Sequence, residues 1–367
     1  SGLFAQWKIA GAEGSYLFNV TRIDSTIFLG AHQGTYISNG SGINDWIKIN
    51  SDITQTQRFQ KFENKILAIA NSGIYESTSQ NNYWLKINNG SLPAACLLTR
   101  NNVWLVGITC NGVYRSTDFG KNWVSNTLYD DSLSCVSSLL DFDNKIFAVT
   151  AKGLQVSIDY GLSWQKIDTT ICGGWPYSNT LVAIGDTIYA GGTGGLLKSI
   201  DRGNTWTSFG LSYVSNILFY NERLFVISNS GVHFSDDFGS TWTKVYEDGY
   251  KIGWSFHPMC LEISGENMLL ATVVGLYYMP LIEFDSPRLM VYSEEVIDLG
   301  QLSVGDLKDT VITIQNRGYE DLVITDISCN SPYINISPKS ITIKPGDVKP
   351  LYIRVNPKSV CEIKTYL

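Results

Sequence analysis

Seven of the ten tryptophans recur with a single period along most of the chain. They are Trp7, Trp46, Trp84, Trp123, Trp164, Trp206 and Trp242, at intervals of 36 to 42 residues. Glycines that follow short β-type runs recur in the same register, at Gly34, Gly73, Gly112, Gly153, Gly195, Gly231 and Gly275. A fixed period of roughly forty residues indicates one supersecondary unit that is repeated and whose copies pack on one another.

One copy of the repeat divides into four β-type runs joined by three turns. Residues 214–246 read VSNILFY, NE, RLFVISN, SG, VHFSDD, FGST and WTKVY. Seven such units predict an all-β, seven-bladed β-propeller with four-stranded blades over residues 1–282. The 33 glycines and the 12% of aromatic residues agree with a chain of strands and tight turns.

The two ends of the repeat region complement each other. The last glycine-containing unit has no tryptophan after it, whereas Trp7 has no unit before it. We therefore expect residues 4–10 to form the outermost strand beside residues 276–281. This pairing would close the ring without a covalent bond and remove an exposed sheet edge.

Four copies carry the motif S-x-D-x-G-x-x-W, beginning at Ser116, Ser157, Ser199 and Ser235. The aspartate can accept hydrogen bonds from turn N–H groups, the glycine allows a positive φ, and the tryptophan can pack across the turn. Strand counting places these turns between the third and fourth strands. We therefore expect a structural role for Asp118, Gly120, Trp123, Asp159, Gly161, Trp164, Asp201, Gly203, Trp206, Asp237, Gly239 and Trp242.

In this motif the chain resembles the Asp-box (BNR) repeat propellers, which include sialidases, some endoglucanases, sortilin-type receptors and photosystem assembly factors. The resemblance implies that ligands bind on the opposite face, formed by the blade-to-blade loops and the second-to-third-strand turns. A sialidase-like mechanism would need three arginines converging on the substrate carboxylate. Only Arg58 is well placed on that face, which favours a non-catalytic member.

Three long blade-to-blade loops, at 126–135, 168–180 and 246–258, hold aromatic residues outside the period together with carboxylates. Such loops can stack on sugars or receive a peptide. The ligand-binding candidates are Tyr129, Asp130, Asp131, Trp175, Tyr177, Glu247, Tyr250, Trp254 and His257, with Arg58. Two alternatives stay open: the aromatic residues pack over their own loops, or paired acids among Asp130, Asp131, Glu247 and Asp248 hydrolyse a glycoside.

Composition excludes several classes of function. A net charge of -7 and a pI near 5.1 provide no basic field for nucleic acid. No run of ~20 apolar residues predicts a transmembrane segment. Seven cysteines without CxxC spacing and three histidines do not form a metal-binding or catalytic set, so no cofactor or metal is expected. The runs around Cys96 and Cys260 predict buried thiols, and a Cys329–Cys361 bridge stays open.

Beyond a linker at 283–287 the period stops. Residues 288–367 contain the alternating runs DTVITIQN, LVITDIS, SITIKPG and PLYIRVNP, which predict a C-terminal immunoglobulin-like β-sandwich. The domain resembles hydin/abnormal-spindle (choice-of-anchor) modules through Asp298–Gly300, Val304, Gly305, Asn316–Gly318, Pro345, Gly346 and Val355–Pro357. That pattern expects a further strand after Pro357, which suggests a domain truncated at its carboxyl end.

These modules are usually spacers or anchors in exported bacterial proteins. The resemblance therefore implies a secreted, cell-surface or periplasmic protein from which a signal peptide has been removed. The function expected from the sequence is a monomeric, non-catalytic binding or scaffold module whose loop face recognises a glycan or a protein. The alternative is a glycoside hydrolase that uses loop carboxylates on the same face.

Overall fold

The computed structural model describes residues 8–38, 43, 45–49, 53–78, 83–109, 111–125, 135–167, 180–245, 257–281, 289–292, 301–316, 321–329, 331–344 and 347–359. The chain divides into two compact units, Ser1–Met279 and Pro280–Leu367.

The first unit contains seven four-stranded antiparallel sheets, each ordered first, second, third and fourth strand. The first strands are β2 (Leu17–Ile23), β6 (Thr56–Phe62), β10 (Ala94–Arg100), β14 (Val136–Phe142), β18 (Thr180–Ile184), β22 (Asn216–Tyr220) and β26 (Pro258–Ser264). The second strands are β3 (Thr26–Ala31), β7 (Lys65–Ala70), β11 (Val103–Ile108), β15 (Lys145–Thr150), β19 (Thr187–Gly192), β23 (Arg223–Ser228) and β27 (Asn267–Thr272).

The outer half of each sheet follows in chain order. The third strands are β4 (Gly34–Ser38), β8 (Gly73–Thr78), β12 (Val113–Ser116), β16 (Gly153–Ser157), β20 (Gly195–Ser199), β24 (Gly231–Ser235) and β28 (Gly275–Pro280). The fourth strands are β5 (Trp46–Ile49), β9 (Leu85–Lys86), β13 (Val124–Ser125), β17 (Gln165–Lys166), β21 (Thr207–Phe209), β25 (Thr243–Lys244) and, for the last sheet, β1 (Lys8–Gly11).

Burial explains why the second strands are nearly continuous apolar runs. After its first residue, every second strand is buried throughout, as in KILAIA and RLFVIS, because adjacent sheets pack against it. The core clusters accordingly combine residues of adjacent sheets. Three of the short fourth strands have exposed side chains at both positions or at two of three, which places them on the solvent side.

The amino-terminal strand completes the seventh sheet. β1 pairs antiparallel with β28, with Lys8 opposite Tyr278 and Ile9 opposite Tyr277. The indole Nε1 of Trp46 donates to the carbonyl oxygen of Ala10 at 2.9 Å, which links β1 to the first sheet. The expected pairing is confirmed for residues 8–10, whereas residues 4–7 lie outside the described residues. The wider expectation, a closed ring, stays a prediction.

The four Asp-box turns share one hydrogen-bond pattern and lie between third and fourth strands, as expected. The serine hydroxyl donates to aspartate Oδ1 at 2.7–2.8 Å and accepts the glycine N–H at 2.7–3.0 Å. Oδ1 also accepts the N–H four residues after the aspartate's own position, at 2.8–2.9 Å. Each glycine has a φ of 80–93°, so glycine is needed there. The expected structural role fits this geometry.

These hydrogen bonds favour the charged form of the carboxyl group. The N–H and side chain of Asn122 and the hydroxyl of Ser116 lower the pKa of Asp118 to about 2. The hydroxyl and N–H of Thr205 do the same for Asp201, whose pKa is also about 2.

The boxes also join neighbouring sheets, which the sequence pattern did not indicate. The Arg100 guanidinium of the third sheet lies 4.7 Å from the ring centre of Tyr160 in the fourth-sheet box. The carbonyl oxygen of Phe238 in the sixth-sheet box accepts hydrogen bonds from Tyr189 and Lys198 of the fifth sheet, at 3.0 and 2.9 Å. Each of these boxes thus fastens its own sheet to the preceding one.

The second unit contains a four-stranded sheet and a two-stranded sheet around one core. The strands are β29 (Leu289–Tyr292), β30 (Lys308–Asn316), β31 (Leu322–Ile324), β32 (Ile334–Ser337), β33 (Ile341–Ile343) and β34 (Val348–Val355), in the orders β29-β30-β34-β32 and β31-β33. The four alternating runs correspond to β30, β31, β33 and β34. Cys329 is a free thiol that packs against this core; Cys361 lies outside the described residues.

Candidate functional site: a polar cavity where the first strands begin

A cavity of about 200 Å³ lies where the seven first strands begin. Every first strand, or the residue directly before it, contributes to the lining, so the cavity is central to the first unit and lies on the side of the blade-to-blade loops. The lining residues are Phe18, Asn19, Thr21, Gln57, Arg58, Phe59, Ala95, Ser137, Thr180, Ser215, Asn216, Met259 and Cys260.

A backbone irregularity positions five of these side chains. In β2, β6, β10, β14 and β26, the pairing with the second strand shifts by one residue near the start of the first strand. The extra residues are Phe18, Gln57, Ala95, Ser137 and Met259, and all five line the cavity. A bulge of this kind re-aims a side chain that regular pleating would direct into the sheet packing.

Among the described residues that line the cavity, Arg58 is the only charged one. It follows the bulge of β6, and its Nη2 donates to the carbonyl oxygen of Ser137 at 3.3 Å. This hydrogen bond reaches from the second sheet to the fourth. Three other arginines of the first unit, Arg100, Arg202 and Arg223, form ion pairs with aspartates, whereas none joins Arg58 to a carboxylate within the described residues.

Around the cavity, side chains of one sheet form hydrogen bonds with backbone groups at the edge of the adjacent sheet. Asn216 Oδ1 accepts the N–H of Leu261 at 3.1 Å, and the Cys260 thiol lies 3.5 Å from the carbonyl oxygen of Val20. Burial raises the pKa of the Cys260 thiol to about 11, and it does the same for Cys96 behind the lining. Both thiols are therefore protonated at neutral pH and are poor nucleophiles.

The described lining is polar and carries a single charge. Among the described lining residues there is no carboxylate and no histidine to act as a general acid or base. Seven of them carry an amide or hydroxyl group, and these groups can donate to and accept from a polar ligand. No group of three or more histidine, cysteine, aspartate or glutamate side chains is arranged to bind a metal ion in the part of the chain that the structure describes.

The predicted ligand-binding residues divide between the described and the undescribed parts of the chain. Arg58 lines the cavity, and His257 is exposed directly before β26. The other eight, Tyr129, Asp130, Asp131, Trp175, Tyr177, Glu247, Tyr250 and Trp254, lie outside the described residues and stay predictions.

Sequence reasoning missed Phe18, Gln57 and Met259. Each is the second residue of a first strand and reaches the cavity through a one-residue register shift, which leaves no signal in the sequence.

Sequence and structure comparisons agree on the class of protein. Residues 288–367 match the family model described as HYDIN/CFA65/VesB-like, Ig-like domain, and residues 113–126 match the BNR-Asp box repeat. No curated protein sequence matches the chain.

Similar solved structures include the extracellular domain of the two-component system BT4673 from B. thetaiotaomicron. It has a TM-score of 0.62 and 13% identity, over 85% of this chain and 44% of that one. The Niastella koreensis GH74 enzyme has a TM-score of 0.54 and 19% identity, over 73% of this chain and 43% of that one. YCF48 bound to a D1 peptide has a TM-score of 0.56 and 14% identity, over 76% of this chain and 97% of that one. The chain therefore spans less than half of the BT4673 and GH74 chains.

At these identities the likeness shows the fold alone. The chain is an all-β protein, with an Asp-box β-propeller of seven four-stranded sheets followed by an immunoglobulin-like domain. More particularly, it combines the BNR-Asp box repeat with the HYDIN/CFA65/VesB-like module in one chain. Within the described residues, no helix is long and apolar enough to cross a membrane.

Proposed function

We propose that the first unit is a non-catalytic binding or scaffold module that recognises a glycan or a protein through its loop face. The observation that carries this proposal is the central cavity, which lies where the first strands begin and whose described lining has polar groups and one cation but no acid–base pair. The side chains of the Asp boxes make contacts within their turns and with neighbouring sheets. We therefore place recognition on the opposite face.

The proposal extends to the loops at 126–134, 168–179 and 246–256. Their aromatic residues Trp175 and Trp254 would provide flat apolar surfaces beside the cavity, where a sugar ring or a peptide could stack. The immunoglobulin-like unit would act as a spacer or anchor. The extracellular domains among the similar structures support an exported, bacterial, surface-associated protein, and we propose that it acts as a monomer.

The experiment is a glycan-array and pull-down screen with the full chain. We expect wild type to retain a partner that the variant Trp175→Ala/Trp254→Ala loses. Trp242→Ala is not a suitable control because it disturbs a box, so the matched control is Tyr83→Ala. Tyr83 is an exposed aromatic residue just before the fourth strand β9. Equal retention by wild type and the double variant would contradict the proposal.

Glycoside hydrolysis is the second candidate function, since a GH74 enzyme shares the fold. It requires two of the loop acids Asp130, Asp131, Glu247 and Asp248 to face each other at ~5 to 9.5 Å. Release of reducing sugar from a polysaccharide by wild type, and its loss in Asp130→Asn/Asp131→Asn, would establish the enzyme and replace the binding proposal.

A further inference from the structure

The central cavity holds one unneutralised positive charge in a partly enclosed, polar environment. Arg58 has five N–H donors, and one hydrogen bond, to the Ser137 carbonyl oxygen, uses one of them. No carboxylate lies among the lining residues that the structure describes. Attraction between opposite charges grows as water is excluded. An anionic ligand is therefore stabilised more by Arg58 in this cavity than by an arginine at an exposed surface.

The size of the cavity limits what can occupy it. At about 200 Å³ it is smaller than the roughly 300–1,000 Å³ of pockets that enclose a whole drug-sized ligand. It therefore fits one terminal group of a larger molecule, or a molecule about the size of a single sugar or amino acid.

The rest of the lining narrows the chemistry of that group. Amide and hydroxyl side chains from several sheets line the same cavity as Arg58, at Asn19, Thr21, Gln57, Ser137, Thr180, Ser215 and Asn216. Five of them already make one or more hydrogen bonds within the protein, which leaves part of their donor and acceptor capacity for a ligand. An aspartate or glutamate side chain has one carboxylate on an apolar stem and would not pair with that remaining capacity. A ring with several hydroxyl groups would pair with it, and Phe18, Phe59 and Met259 provide apolar surface for its carbon atoms.

From these observations we infer that the cavity binds one acidic sugar residue. The Arg58 guanidinium pairs with the sugar carboxylate, and the amide and hydroxyl side chains of the lining form hydrogen bonds with the ring hydroxyls. A planar guanidinium can contact both oxygens of a carboxylate, which gives geometric selectivity as well as affinity. This inference rests on the proposed function of the loop face and specifies the ligand class for it.

The test is a ligand-observed NMR titration of the full chain with three small probes. D-glucuronate has the ring and the carboxylate, D-glucose has the ring alone, and N-acetyl-L-glutamate has carboxylates without the ring. We expect wild type to bind D-glucuronate at least about tenfold more tightly than either other probe, because charge-assisted hydrogen bonds are the stronger ones. Equal or tighter binding of either other probe would overturn the inference, and tighter binding of N-acetyl-L-glutamate would indicate a peptide partner.

Two substitutions connect the result to Arg58. Arg58→Gln removes the charge and should weaken D-glucuronate binding about tenfold or more, whereas Arg58→Lys keeps the charge, loses the planar contact and should weaken binding severalfold. Arg202→Gln, at an exposed arginine in a box, should leave binding unchanged. Thermal unfolding checks the fold of each variant, and Arg58→Lys decides the outcome if Arg58→Gln does not fold. Unchanged affinity in the folded Arg58 variants would overturn the inference.

The two proposals fail in different ways. If the Trp175→Ala/Trp254→Ala variant loses a partner while D-glucuronate does not bind wild type, the cavity inference is wrong and the loop-face proposal stands. If wild type retains neither glycan nor protein in the screen, the proposed function itself is contradicted.

Discussion

Substituting Gly203 by alanine should destabilise the first unit more than the same change at Gly239. The two glycines have equivalent places in the boxes of the fifth and sixth sheets and similar φ values, +83° and +93°. A side chain at either position therefore carries a similar backbone penalty of about 1–2 kcal/mol. Their surroundings differ, however, because an added Cβ at Gly203 would lie 2.6 Å from Cε1 of Phe147, and closer still to its Cζ.

Phe147 cannot move aside without a substantial energetic cost, because it is fully buried on the second strand of the preceding sheet. At Gly239 the nearest atom is Trp242 Cζ2 at 3.4 Å, which is an ordinary contact. Overpacking a rigid core costs about 1–3 kcal/mol. Gly203→Ala should thus lose about 2–5 kcal/mol of unfolding free energy, and Gly239→Ala about 1–2 kcal/mol.

Urea unfolding followed by tryptophan fluorescence measures the difference, provided that the two variants share one m-value. Losses that agree to within about 0.5 kcal/mol would show that contact with Phe147 adds nothing at Gly203, because the boxes would then act only within their own sheets.

Two further predictions concern hydrogen bonds at the boxes and at the first sheet. Asp118 and Asp201 have folded pKa values of about 2 against an ordinary 3.8, so their contribution to stability is complete above about pH 4 and is lost as the pH falls towards 2. Asp201→Asn should therefore be less stable than wild type at pH 5, with a thermal-midpoint difference that shrinks by pH 2.5; a constant difference would contradict the assignment. Trp46→Phe should cost about 0.5–1.5 kcal/mol more than Trp164→Phe, because it removes the hydrogen bonds of Nε1 to the carbonyl oxygens of Ala10 and Ile43, whereas the buried Nε1 of Trp164 has no hydrogen-bond partner among the described residues. Equal costs in urea unfolding would show that the link between β1 and the first sheet adds nothing.

Much of the fold could be predicted because the repeat imposes the same pattern seven times. The strands of a single unit that lacks the Asp-box residues, such as residues 56–86, would be ambiguous from that unit alone. They can be assigned because Gly73 and Trp84 are in register with the periodic glycines and tryptophans of the other units. The pairing of β1 with β28 followed from the same count, since an unpaired tryptophan and an unpaired glycine unit lay at opposite ends.

The motif chemistry was only partly visible in the sequence. The spacing showed that an aspartate, a glycine and a tryptophan share a turn, but it did not show that the serine hydroxyl both donates to the carboxylate and accepts the glycine N–H. It also gave no sign that Gly203 packs on Phe147, because that contact depends on how neighbouring sheets stack rather than on local spacing.

The candidate site was harder to predict for a related reason. Arg58 could be assigned to the loop side by counting strands. Phe18, Gln57 and Met259 could not, because each reaches the cavity through a one-residue register shift that leaves no composition signal. Strict alternation in those strands would direct their side chains elsewhere.

Hydrogen–deuterium exchange of the full chain, with and without a partner from the screen, shows where the first unit binds. We expect bound partner to increase protection where the first strands begin, at 17–21, 56–60 and 258–262, and to leave the box turns at 116–123 and 199–206 unchanged. Protection confined to those box turns, with none at the first strands, would contradict a binding site on the loop face.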